Sequence, residues 1–121
     1  MKRLNVLLVV ALVLVATASL SSIQAVAQSP TVTDDNLSES IANAKTSPDH
    51  EAIAVYYDQE AADADKKAAL HIRSASIAKP VGMANMCNGL AKYWEKVAAQ
   101  DKELASAHRK MAKAAGSETG H

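Results

Sequence analysis

The chain has 121 residues, with 13 basic and 13 acidic side chains, so its formal net charge is zero and no basic surface recommends nucleic acid as a partner. That length allows one small domain and a modest core, which excludes a large multi-step enzyme. Aromatic residues make up 3%, Phe is absent and there is a single cysteine, which excludes an internal disulfide framework and any Cys-only zinc or iron–sulfur site.

The chain opens on Lys2 and Arg3, continues through an apolar run from Leu4 to Leu20, and reaches Ala25-Val26-Ala27. A basic start, an apolar middle and small residues at the cleavage positions form the three-part secretory signal. Cleavage is expected before Gln28, and the short basic and apolar parts suggest a bacterial periplasm as destination. An uncleaved signal segment is the only membrane attachment in view, and no cysteine near the cleavage point offers a lipid anchor.

Residues 28–35 are polar, include Pro30, and read as part of a flexible lead-in to position 47. Within it, Leu37, Ile41 and Ala44 are spaced for a short helix. Thr46-Ser47-Pro48-Asp49 is a strong helix start, with Ser47 expected as N-cap, Pro48 at the first helical position, and Asp49 and Glu51 at the positive end of the dipole. No Gly or Pro follows until Pro80, and a second helical run is expected from about Met83 to Ala115. Residues 116–121 read as a disordered tail. Twenty alanines lie beyond position 27, which favours helix over sheet.

Stepping from His50 alternately by four and three gives a seam through Ala54, Tyr57, Ala61, Ala64, Ala68, His71 and Ala75. The same steps from Met83 reach Cys87, Leu90, Trp94, Val97, Asp101, Leu104, His108, Met111 and Ala115. Heptad seams of this kind belong to helices that pack along their length. Folding back at Lys79-Pro80 with facing numbers summing to 158 predicts an all-α antiparallel two-helix hairpin over residues 48–115. That register sets alanines against Leu104, Val97, Trp94, Leu90 and Met83, and Tyr57 against Asp101 for a hydrogen bond. It also sets His50 against His108, and His71 against Cys87. From Asp49 to Ala78 the net charge is −3 and from Gly82 to Ala115 it is +3. Opposite charges favour this pairing, with Asp49 and Glu51 near Arg109, Lys110 and Lys113. A two-helix core is thin, so self-association into a four-helix bundle is expected. Ile53, Tyr56, Leu70, Ile72 and Tyr93 fall off the seam and are left for a second copy, an envelope protein partner or the short helix.

Two constellations could carry chemistry. His71 and Cys87, flanked by Met83 and Met86, form a soft set that suits copper, and imidazole also suits zinc. His50, His108 and Met111 supply two imidazoles and a thioether at the other end, again suited to copper and, with a fourth ligand, to zinc. The plainer reading is structural, because free Cys and Met are common core residues and His can serve a helix end. The odd cysteine also admits an intermolecular disulfide. Covalent c-type haem is excluded by the lack of Cys-x-x-Cys-His. A Cys87–His71 nucleophile pair, oriented by Asn85 or Asn88, lacks a concave pocket, so no enzyme is expected.

His50-Glu51-Ala52-Ile53-Ala54-x-Tyr56-Tyr57 with Glu60-Ala61-Ala62, then His71, Cys87, Leu90, Tyr93 and Leu104-Ala105-x-x-His108-x-x-Met111-Ala112, resemble small uncharacterised exported bacterial Ala-rich proteins. The resemblance covers roughly residues 49–115. It implies a helical hairpin in the cell envelope and no particular activity. Two functions follow as expectations: a periplasmic protein that sequesters or passes on copper, with zinc as second choice, or a structural or interaction module without ligand chemistry.

Overall fold

The computed structural model describes residues 31–118, so the expected signal segment lies outside the described residues. Within them the chain is all-helical: α1 spans Leu37–Asn43, α2 Ser47–Ile77 and α3 Val81–Glu118. Helices α2 and α3 pack along their lengths as an antiparallel hairpin, and the short α1 lies against α2. At 1.5 Å per residue α2 is about 46 Å long and α3 about 57 Å. Among the described residues no helix is long and apolar enough to cross a membrane.

Ahead of α2, residues 31–36 are joined to one another and to α2 by side-chain hydrogen bonds. Asn36 Oδ1 accepts the Thr33 N–H at 2.8 Å, and its amide nitrogen donates to the Thr31 carbonyl at 3.0 Å. The Tyr56 hydroxyl donates to Asp34 at 2.8 Å, which ties the segment to α2 and raises the phenol's pKa far above its ordinary value. Val32 is buried there.

Helix α2 begins one residue earlier than the sequence suggests. Thr46, not Ser47, is the N-cap: its hydroxyl accepts the Asp49 N–H at 3.3 Å while Asp49 accepts the Thr46 N–H at 2.9 Å. This reciprocal box satisfies two donors that a helix start otherwise leaves unpaired. Asp49 also accepts the Lys45 N–H at 3.1 Å, and these bonds, the Lys45 N–H foremost, lower its carboxyl pKa. It is thereby committed to the cap and not to the basic end of α3. At the far end α3 runs three residues into the expected tail, and Gly116 lies beside Ser47.

The buried alanines of α2, Ala54, Ala61, Ala64 and Ala68, fall at expected seam positions, with Ile53, expected off the seam, buried beside them at 1% exposed, but the seam of α3 does not match. Ala91, Ala98, Ala105 and Ala112 are the buried row, each one residue after Leu90, Val97, Leu104 and Met111. From Cys87 the correct steps on α3 run four then three: Cys87, Ala91, Trp94, Ala98, Asp101, Ala105, His108, Ala112. The cause is size. Ala54, Ala61 and Ala68 form a seven-residue row on α2, and alanine facing alanine lets the two backbones draw close. Close backbones leave no room for Leu or Met between them. Met83, Leu90, Leu104 and Met111 therefore sit outside the seam, 52%, 44%, 41% and 49% exposed.

The hairpin has two unlike flanks. Beyond the alanine rows lie ion pairs: Arg109 with both Glu51, at 3.4 Å, and Asp58, and Lys102 with Asp65 at 2.8 Å. Arg109 follows Ala105 by four residues, and Lys102 follows Ala98 by four, so both project to the same side. On the opposite side, Met83, Leu90, Val97, Leu104 and Met111 form a heptad stripe along α3. There Lys67 of α2 lies over the Trp94 ring at 4.3 Å.

Candidate functional site

The larger and more polar seam residues share one edge. His50, Tyr57, Ala64 and His71 on α2, with Cys87, Trp94, Asp101 and His108 on α3, make the half of the seam next to the apolar stripe. The alanine rows make the other half. This follows from helical phase: on α3 the order around the axis is Leu104, His108, Ala105, Arg109.

At the open end, where α2 starts and α3 ends, His50 and His108 meet as expected. Their Nδ1 atoms are 3.2 Å apart, and the ring centroids 5.5 Å. With both rings neutral, one donates and the other accepts, so the two nitrogens share one proton. The Tyr57 ring stacks on His108 at 6.0 Å between centroids. Tyr57 thus packs against imidazole, and no hydrogen bond to Asp101 forms among the described residues. His108 is only 8% exposed. Burial, and then the nearby His50, lower its pKa below the imidazole value of 6.5, which keeps the ring neutral and its nitrogen available. Met111 shares the helix face but projects from the stripe.

At the loop end His71 and Cys87 are both half-buried on the same seam edge. No hydrogen bond joins them among the described residues. Met83 and Met86 are more than half exposed and belong to the apolar flank. Among the described residues, no group of three or more His, Cys, Asp or Glu side chains comes together as a metal cage. The single chain gathers two imidazoles at one end and an imidazole and a thiol at the other.

Between the two ends, Asp101 is half-buried, and burial raises its carboxyl pKa. Two shallow hollows are lined by the 31–44 segment and α2, with Val32, Asn36, Ser40 and Ala52 around one and Val32, Pro48, Val55 and Tyr56 around the other. Neither contains a His or Cys.

The apolar stripe escaped sequence reasoning because stepping four then three from Met83 put its members in the seam. The signal that finds it is the alanine spacing. Ala54, Ala61, Ala68 and Ala75 repeat every seven residues, and so do Ala84, Ala91, Ala98, Ala105 and Ala112. Two matched alanine rows claim the helix contact for themselves and turn the larger neighbours outward. Compared with protein-family models, with curated proteins and with solved structures, the chain shows no match.

Proposed function

We propose that this chain is a small exported helical module of the cell envelope that works as a pair, two hairpins joined through their apolar flanks into a four-helix bundle. The observation that carries this reading is the heptad stripe of exposed Met83, Leu90, Leu104 and Met111 about a half-buried Val97, continued at its edge by exposed Met86 and Tyr93. A contiguous apolar face of this length on a chain with so thin a core marks an interaction surface.

The stripe itself favours a second copy over another protein. In residue type it reads the same from either end: Met, Leu, Val, Leu, Met about Val97. A two-fold axis passing Val97 would set Met83 on Met111 and Leu90 on Leu104 of the second copy, and the reverse, as a self-complementary interface requires. The same axis runs α3 of one copy antiparallel along α3 of the other, and α2 along α2. A chain of zero net charge meets no overall repulsion from its own copies.

Sedimentation equilibrium of the purified protein tests the pairing. A dimer is expected, with a concentration-dependent melting temperature. Replacing Leu90 and Leu104 together by Glu should leave the chain helical and monomeric. A wild-type protein that stays monomeric at its highest soluble concentration would overturn the reading and leave an envelope protein as occupant of the stripe.

A second reading, binding of copper or zinc, is favoured by the imidazole pair. Two nitrogens bound at about 2.0 Å to one tetrahedral ion stand about 3.3 Å apart. His50 and His108 already hold their Nδ1 atoms at 3.2 Å. The pair alone makes a two-ligand chelate, which leaves half of a tetrahedral shell to be filled.

A further inference from the structure

We infer that pairing completes two metal sites, each built from His50 and His108 of one copy and His71 and Cys87 of the other. The inference rests on the pairing proposed above and adds what the pairing is for.

The spacing that leads to it is present in both helices. His50 and His71 are 21 residues apart on α2, and Cys87 and His108 are 21 residues apart on α3. Each pair therefore marks two levels of the hairpin about 32 Å apart. The observed His50–His108 contact fixes the facing of the two helices, so one level holds His50 with His108 and the other His71 with Cys87. Midway between Cys87 and His108 the chain passes from Val97 to Ala98. That is where the stripe has its centre of symmetry. The apolar side chains and the polar ones are different residues, and they point to the same axis.

A two-fold rotation about that axis exchanges the two levels. His50 and His108 of one copy then stand level with His71 and Cys87 of the second, at both ends of the bundle. All four residues belong to the seam edge next to the stripe, the edge that a second hairpin would cover. The intervening layers fit the same operation: Tyr57 and Asp101 come level with Ala64 and Trp94 of the second copy, a large residue against a small one on α2. Sites in four-helix bundles are built in this way, from inward side chains on facing helices.

The donor set would be three imidazole nitrogens and one thiolate sulfur. Four such ligands suit a tetrahedral, borderline-soft ion, Zn(II) or Cu(I). Binding releases one proton, from the Cys87 thiol, because the imidazoles coordinate as neutral rings. The ion would also offset the burial of His71 and Cys87, which make no hydrogen bond to one another among the described residues. Neither end of a single hairpin holds more than two of the four ligands, which agrees with the lack of a three-ligand group among the described residues.

The test is complementation between two defective proteins, read with Zn(II) in one arm and Cu(I) in another, anaerobically and with thiols reduced. One carries His50→Ala and His108→Ala, the other His71→Ala and Cys87→Ala. Wild type should bind one ion per chain as a dimer, and each double variant alone should lose tight binding. A hybrid of the two rebuilds one complete site of its two, and random pairing makes about half of the dimers hybrids. The refolded equimolar mixture should therefore recover about a quarter of the wild-type metal per chain. Cobalt(II) substitution supplies a second readout, a sulfur-to-metal charge-transfer band present in wild type and the mixture and lost in Cys87→Ser. That single variant keeps the side-chain size if the double variants fold poorly. A dimer that binds no metal, or variants that pair without recovering it, would overturn the composite site and leave the pairing intact. Metal bound by a monomer whether or not Cys87 is present would reduce the site to the two-imidazole chelate. A monomer with and without metal would overturn pairing and site together.

Discussion

The two flanks of the hairpin solve different problems. On one side, alanine rows bring the helices together, and Arg109 and Lys102 reach across to Glu51, Asp58 and Asp65. That side is finished within a single chain. On the other side, the seam carries His50, Tyr57, His71, Cys87, Trp94 and Asp101, only partly covered, with an apolar stripe beyond them. The difference teaches where each residue type can be spent. Alanine makes the hairpin, and the larger side chains it displaces become material for a second contact.

The sharpest way to break this comparison is to enlarge the closed side. Ala98 is fully buried between the helices. Replacing it with Leu forces the backbones apart, and overpacking of this kind costs about 1–3 kcal/mol. Leu104→Ala, on the open stripe six residues away, should cost a monomeric hairpin less than about 1 kcal/mol because much of that side chain already meets water. It should weaken pairing instead. Chemical denaturation measures the first effect and sedimentation the second. A large stability loss for Leu104→Ala in a dilute, monomeric sample would mean that the stripe is part of the single-chain core.

How much of this was legible beforehand depends on how each residue announces itself. The helix start was readable because Thr46-Ser47-Pro48-Asp49 offers few alternatives, and the error of one residue reflects two adjacent hydroxyls, of which Thr46 is the one spaced three before Asp49. The His50–His108 contact was readable from period and charge together. The placement of Met83, Leu90, Val97, Leu104 and Met111 was not readable from apolarity, which marks them for a core. Only the facing alanine rows decide otherwise, and that decision is about backbone separation, a property of two helices at once. The juxtaposition of His71 and Cys87 is of the same kind. Sequence spacing puts them on one edge, and the structure leaves them there without a bond to one another.

Acidification sharpens the comparison at the open end. The pKa of His108 is lowered by burial and by His50, so the folded chain binds fewer protons than the unfolded chain just below the ordinary imidazole value of 6.5. Stability tied to this group is complete above that pH and falls as the pH drops through it towards the lower folded value. A second proton also sets two N–H groups face to face at a 3.2 Å separation. Thermal melts between pH 8 and pH 5 should show a falling melting temperature in wild type and a flatter profile in His108→Gln. An unchanged profile in the variant would remove His108 from this role.

The smallest effect belongs to the finished flank. Lys102 and Asp65 are an exposed pair with their nitrogen and oxygen 2.8 Å apart. A double-mutant cycle with alanine at each position should return a coupling of about 0.2–1 kcal/mol, shrinking as salt is added. So weak a term cannot hold two helices of this length together, and the alanine rows do that. Its value lies in discrimination, because sliding α3 by one heptad would bring Glu95 opposite Asp65 in place of Lys102. The energy at stake is then a repulsion avoided as well as an attraction gained. A cycle on a chain whose alanine rows are intact measures only the attraction, so a coupling well above 1 kcal/mol would show that this flank contributes to closure and that the division of labour between the two flanks is less sharp than the packing suggests.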